Sequence, residues 1–174
     1  MIAIGADHGG YKLKEEIKKY LEESGIEYKD YGTNSEERTD YPIYAKKVSE
    51  AIQNKECECD SLDSVDYPIY AKKVAHAILD GECEKGILIC GTGIGISITA
   101  NKFKGIRAAS IHDQESAKYA KADDDINVIT LGGDYLTINE AICIIRNWLG
   151  TEFKGGRYEE RLKMVEEIEK NNMK

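Results

Sequence analysis

Three places in the chain combine residue types and spacings that could do chemistry. The first is GILICGTGIGISITANK, residues 86–102. Its opening apolar run, bounded by glycines, reads as a strand buried on both faces and ending at Cys90. Gly91, Gly93 and Gly95 let the backbone approach a ligand closely, and the helix that opens after them offers free N–H groups to an anion. Two readings of Cys90 follow. It is either a small buried core residue or, at a strand end beside a helix start where a thiolate is favoured, a reactive thiol. The turn is not the dinucleotide fingerprint, because the third glycine of that pattern would fall on Ile96.

The second place is GADHGGYK, residues 5–12, where Asp7 and His8 close an apolar run. Asp7 either caps the next helix or projects with His8 into a crevice. This is not a phosphate-binding P-loop, since Tyr11 stands where a lysine should directly follow Gly10. The third place is Arg157 and Arg161, spaced i, i+4 just after Gly155-Gly156. Two guanidiniums on one face near a helix start form a phosphate clamp; alternatively they are a solvated face paired with Glu159, Glu160 and Glu166.

The elements that must position these residues are legible as alternating periods. Ile2 to Ala6 reads as a strand, and Leu13, Ile17 and Leu21 share one face of the helix after it. Glu27 to Tyr31 is a weaker strand, Gly86 to Cys90 a strong one, and Arg107 to Ile111 and Asn127 to Leu131 two more. A helix is predicted over Gln114 to Ala122. Ile138, Ile142, Ile145 and Leu149 form one later helical stripe, and Leu162, Val165 and Ile168 another. Strand–helix alternation of this kind predicts a parallel sheet with helices on both faces, and ligands there bind beyond the carboxyl ends of the strands.

Composition narrows the function classes. The 174 residues have room for one domain, 1–174, with a sizeable core; 41% hydrophobic and 32% charged residues describe a globular chain. Net charge is -8 and no Lys/Arg block stands clear of acids, which argues against nucleic acid as a partner. No apolar run approaches the roughly 20 residues of a membrane span. The opening MIAIGADHGG lacks a basic region followed by a long apolar stretch, so no signal peptide is read and a cytoplasmic location is expected. Five cysteines without a CxxC pair are expected as free thiols. Cys57-Glu58-Cys59 could suggest a metal, but with three histidines and no zinc-finger spacing no metal site is expected.

A duplication interrupts the alternation. Residues 40–52 (DYPIYAKKVSEAI) and 66–78 (DYPIYAKKVAHAI) agree at 11 of 13 positions. In both copies Tyr41, Tyr44, Val48 and Ile52, or Tyr67, Tyr70, Val74 and Ile78, line one helical face. A solenoid needs at least three repeats, so this is a local tandem duplication within one domain. The second copy reaches the strand ending at Cys90 through the short DGECEKGILIC exit and is expected to be the docked one.

Together these motifs resemble the ribose-5-phosphate isomerase B family, whose pattern the galactose-6-phosphate isomerase subunits share. GADHGG, TDYPIYA, ILICGTGIGISI, ANK, GIRAA, NV, LGG, EF and GGR with Arg161 occur in the family's order, over nearly the whole chain apart from one copy of the repeat. The resemblance implies a Rossmann-like three-layer α/β/α fold with a five-stranded parallel sheet. It also implies a homodimer or dimer of dimers with active sites at the subunit interface, and an enediolate mechanism without cofactor or metal. Carried over by position, Cys90 is the base that moves a proton between C1 and C2. Thr92 and the amides of Gly91, Gly93 and Gly95 stabilise the enediolate. Asp7 assists ring opening, and His8, Asp124 and Tyr67 or Tyr41 contact the sugar. Arg157 and Arg161, from the partner subunit, hold the phosphate.

Three positions depart from the family pattern. Asp123 stands where the family has a histidine that helps open the ring, and could serve as acid or base only with a raised pKa. Asp134 replaces an arginine that helps bind phosphate, and Tyr158 replaces the histidine after GGR. The expected activity is aldose–ketose isomerisation of a sugar phosphate, with ribose 5-phosphate first and galactose or allose 6-phosphate as alternatives. A non-catalytic sugar-phosphate sensor is a reading from a different class. A nucleotide-binding flavodoxin-like protein is disfavoured by the broken fingerprints.

Overall fold

A computed structural model describes residues 1–36 and 67–173. Five parallel strands form one sheet in the order β2-β1-β3-β5-β4: β1 (Ile2–Ala6), β2 (Tyr28–Asp30), β3 (Lys85–Cys90), β4 (Ala108–Ser110) and β5 (Val128–Gly132). Around it lie α1 (Tyr11–Glu23), α2 (Tyr67–Leu79), α3 (Ile94–Ala100), α4 (Gln114–Asp124), α5 (Ile138–Leu149) and α6 (Arg157–Asn172). This is the Rossmann-like three-layer arrangement that the sequence predicts.

The strands form because short apolar runs can be buried on both faces, and the pleat then sorts side chains by parity. Ile87 and Ile89 of β3 join Leu13, Ile17, Leu21, Ile144 and Trp148 in one core layer, under α1, α4 and α5. Leu88 and Cys90 point the other way, into the layer of Ala71, Val74, Ala75, Ile96 and Ala100 under α2 and α3. Trp148 is fully buried and its Nε1 donates to the Ile126 carbonyl at 3.4 Å. Truncating it to Ala would cost about 3–5 kcal/mol.

Two helical stripes differ from the sequence expectation. In α5 the buried face is Ala141, Ile144, Ile145 and Trp148, whereas Ile138 is exposed. Large aliphatics alone misplace the stripe's centre, because a small Ala and a Trp complete it. In α6 no residue is buried, and Met164, Val165 and Ile168 lie open to solvent.

The second repeat copy is α2, packed on the sheet with Tyr70, Ala71, Val74, Ala75 and Ala77 buried. The first copy, 40–52, lies outside the described residues, as do Tyr41, Cys57 and Cys59.

Chain order reverses between β1 and β3: β2 flanks β1 on one side, while β3 joins it on the other. Such a switch point opens a crevice beyond the strands' carboxyl ends. Asp7 follows β1 and Cys90 ends β3, so the topology alone brings them to the same mouth.

Candidate active site

Backbone hydrogen bonds stitch the loops after β1, β3 and β5 together. Asp7 N donates to the Ile89 carbonyl at 3.2 Å, Gly133 N to the Cys90 carbonyl at 2.9 Å, and Asp134 N to the Gly91 carbonyl at 3.0 Å. Cys90 is buried, and its Sγ accepts a hydrogen bond from Gly93 N at 3.2 Å. The sulfur thus faces a fixed donor that a negative charge on it would use.

Gly93 can do this because its φ is +76°, a left-handed conformation that costs glycine little. A methyl there would also stand 2.9 Å from the Leu131 carbonyl carbon. Behind the turn, the buried hydroxyl of Thr130 donates to the Gly93 carbonyl at 2.8 Å. Sequence reading passed over Thr130, although a hydroxyl inside the apolar run VITLG was a visible signal. Thr92 is partly exposed on the same turn, its Oγ1 accepting from Ile94 N at 3.3 Å.

Asp7 caps a short 3-10 turn, His8–Gly10, with its Oδ1 accepting from Gly10 N at 3.1 Å. Capping and crevice placement are therefore compatible, not alternatives. Burial pushes the Asp7 carboxyl above the usual carboxylate range, and Asp134 adds to this. The Gly10 and Gly9 amides and His8 pull it back without cancelling the effect. The Nδ1 of His8 is buried with no hydrogen-bond partner among the described residues.

Two further side chains close on the glycine turn. The Tyr67 ring covers Gly95 so closely that a methyl on Gly95 would lie 2.8 Å from its Cζ. The Asp134 carboxylate does the same at Gly91, 2.7 Å from the position a methyl would take. Asp134 therefore faces the glycine turn.

Cys90, Thr92, Asp7, His8, Tyr67, Gly91, Gly93 and Gly95 are brought together; Asp123, Asp124, Arg157 and Arg161 are not, within one chain. The helix α4 runs back from the carboxyl end of β4, so Asp123 and Asp124 sit at the sheet's amino end, just before β5. Asp123 is engaged by Lys154 Nζ at 2.6 Å, and Lys154 N donates to the Ala122 carbonyl at 3.0 Å. Arg157, Arg161 and Lys154 all stack on the Tyr158 ring, and Arg157 donates to its hydroxyl at 2.9 Å. A five-residue strand, roughly 15 Å, separates this basic cluster from Cys90. Among the described residues no His, Cys, Asp and Glu side chains gather in a group able to hold a metal ion.

Comparison with known proteins adds the decisive observation. The family model described as Ribose/Galactose Isomerase matches residues 2–60 and 56–165. The chain belongs to this family. Each of the two matched segments of the ribose/galactose isomerase pattern contains one copy of the repeat. Ribose-5-phosphate isomerase B of Escherichia coli is 40% identical over 168 residues, covering 97% of this chain and 95% of its own. Ribose-5-P isomerase B of Listeria innocua is 37% identical over 171 residues, covering 98% of both. Among solved structures, Clostridium thermocellum ribose-5-phosphate isomerase B superposes with a TM-score of 0.81 at 40% identity, covering 98% of this chain and 97% of that one. The Mycoplasma genitalium enzyme with bound ribulose 5-phosphate gives 0.80 at 31% identity, with the same coverage.

Proposed function

We propose that the protein interconverts ribose 5-phosphate and ribulose 5-phosphate through an enediolate. The observation that carries this reading is Cys90 at the switch-point crevice, with its sulfur on the Gly93 amide, opposite a buried Asp7 whose carboxyl burial pushes above the usual carboxylate range. Asp7 gives its proton to the ring oxygen as the C1–O4 bond breaks, while the O1 hydroxyl loses its proton to solvent and its electron pair forms the C1 carbonyl. Cys90 as thiolate takes the C2 proton of the open-chain aldose, and electrons move to the C1 oxygen. The Gly91–Gly95 amides and Thr92 hydroxyl hold the resulting enediolate. Cys90 then returns its proton to C1, while the O2 proton is lost and O1 is protonated, leaving the C2 ketone. His8, with its unpartnered Nδ1, and Tyr67 contact the sugar.

The working unit in this reading is a homodimer in which Arg157 and Arg161 of one subunit clamp the phosphate bound at the other's Cys90. Two features support it. The arginines sit at the opposite end of the sheet from Cys90, and apolar side chains stand open both beside the site, Ile94 54% and Ile98 57% exposed, and along α6. Asp123 and Asp124 would arrive with the arginines. We place the enzyme in the cytoplasm; Cys83, Cys90 and Cys143 are free thiols, as a reducing compartment requires.

Turnover of ribose 5-phosphate, galactose 6-phosphate and allose 6-phosphate by the purified protein tests the reading. Fastest conversion of ribose 5-phosphate is expected; binding of sugar phosphate without conversion of any would leave a sensor instead. Mixing Cys90→Ser with Arg157→Ala/Arg161→Ala tests the dimer, since mixed dimers regain one intact site. No recovery of activity on mixing would defeat the shared-site arrangement.

A further inference from the structure

Lys14, in the first turn of α1, has a side chain with 0% exposure. Burying an ammonium is costly unless its charge is matched and its donors are used. Its Nζ meets Asp30 Oδ2 at 2.5 Å and Glu15 Oε1 at 3.0 Å. Lys18 reaches the same Asp30 oxygen at 2.9 Å. Burial alone would push the Asp30 carboxyl up, but the hydrogen bonds from Lys14 and Lys18 outweigh it and hold it below the usual carboxylate range.

These contacts close a ring around Asp7. From Asp30, Oδ1 accepts from Gly32 N at 2.9 Å, and the next residue, Thr33, donates its amide to the Ala6 carbonyl at 2.9 Å. Ala6 directly precedes Asp7. On the other side, Asp7 is fixed by Gly10 N, and Gly10 leads into α1 and back to Lys14. The Lys14 stem lies over Gly32, where a methyl would stand 2.8 Å from Cδ and 2.7 Å from Ala6 N. Lys14 and Lys18 both close this ring on Asp30, but Lys14 alone of the two does so from a fully buried side chain.

We propose that Lys14 is a positioning residue for Asp7, holding the start of α1 against the turn after β2 so that the Asp7 carboxyl meets the ring oxygen of the substrate. The proposal rests on the reading of Asp7 as the ring-opening acid. That reading supplies a discriminating chemistry. Ribose 5-phosphate enters as a closed ring, but ribulose 5-phosphate has its C5 oxygen esterified and enters open, so only the aldose needs Asp7.

The test uses the full-length chain carrying Lys14→Met, which leaves Asp30 paired with Lys18. Two rates are measured: conversion of ribose 5-phosphate, and exchange of the C1 hydrogen of ribulose 5-phosphate with D2O. Conversion is expected to lose at least tenfold in kcat with KM within twofold, while exchange stays within twofold of the parent. Asp7→Asn is run alongside and is expected to show the same split. Should Lys14→Met fail to fold by circular dichroism, Lys14→Met/Asp30→Asn takes its place, removing both members of the pair. Unchanged conversion, or a parallel fall in both rates, overturns the positioning role even if Asp7→Asn splits them. Absence of the split in Asp7→Asn overturns the ring-opening reading and the proposal with it.

Discussion

The amide of Gly93 points at the sulfur of Cys90 from 3.2 Å, three residues further along the chain. The contact ties the candidate base to the turn that would hold the enediolate. Cys90→Ser keeps the shape and the donor but replaces a thiol by a far weaker acid. It is expected to fold normally and to lose turnover by about a hundredfold or more, the scale of a lost acid–base group. Steady-state kinetics with near-parental kcat would remove Cys90 from the proton transfer.

Asp7 carries a stability consequence with a definite sign. Its folded pKa is raised by burial, so the native state binds the proton more tightly than the unfolded chain. Stability from this group is complete below the unfolded pKa and is lost as pH rises through the folded one. Ionising the buried Asp7 as pH rises therefore costs the folded state stability. Asp7→Asn is expected to raise Tm at pH 7, with the gain vanishing near pH 4, while conversion of ribose 5-phosphate falls by about a hundredfold. A lower Tm at pH 7 would contradict the assignment.

Asp134 places a carboxylate against Gly91, on the turn proposed to hold the enediolate. Asp134→Arg is expected to lower KM for ribose 5-phosphate by roughly tenfold, the effect of one charge-assisted hydrogen bond of about 1.5 kcal/mol. An unchanged KM would mean that the phosphate lies beyond the reach of residue 134.

β1, β3 and β5 were readable because each is a short apolar run bounded by turn residues, and Cys90 and Asp7 were readable because they stand where such runs end. The helical faces were less so. Ile138 belongs to an amphipathic pattern yet stays exposed, because the buried face is centred on Ala141, Ile144, Ile145 and Trp148 and Ile138 lies at its edge in the first turn. Lys14 was invisible as a buried group: a lysine in YKLKEEIKKY reads as solvated, and only the fold brings Asp30 beneath it. The separation of Arg157 from Cys90 was also illegible from spacing, because the direction of α4 across the sheet decides which end receives it.

The duplication makes its own prediction. Because the second copy already supplies α2 and places Tyr67 over Gly95, deleting residues 40–65 is expected to leave kcat within about twofold, since loop length changes closure cost by only about 0.6 kcal/mol per doubling. In the full chain Tyr67→Phe should impair catalysis and Tyr41→Phe should not; the reverse pattern would assign the site to the first copy.

The hydrogen bonds that join the loops after β1, β3 and β5 connect residues far apart in sequence: Asp7 to Ile89, and Cys90 to Gly133. Local helices can form early, but these links wait until β1, β3 and β5 have paired in register, and such non-local pairing is slow. The crevice is therefore among the last features a refolding chain acquires. Regain of turnover after dilution from denaturant should lag behind regain of helical signal, so that activity reports the completed sheet.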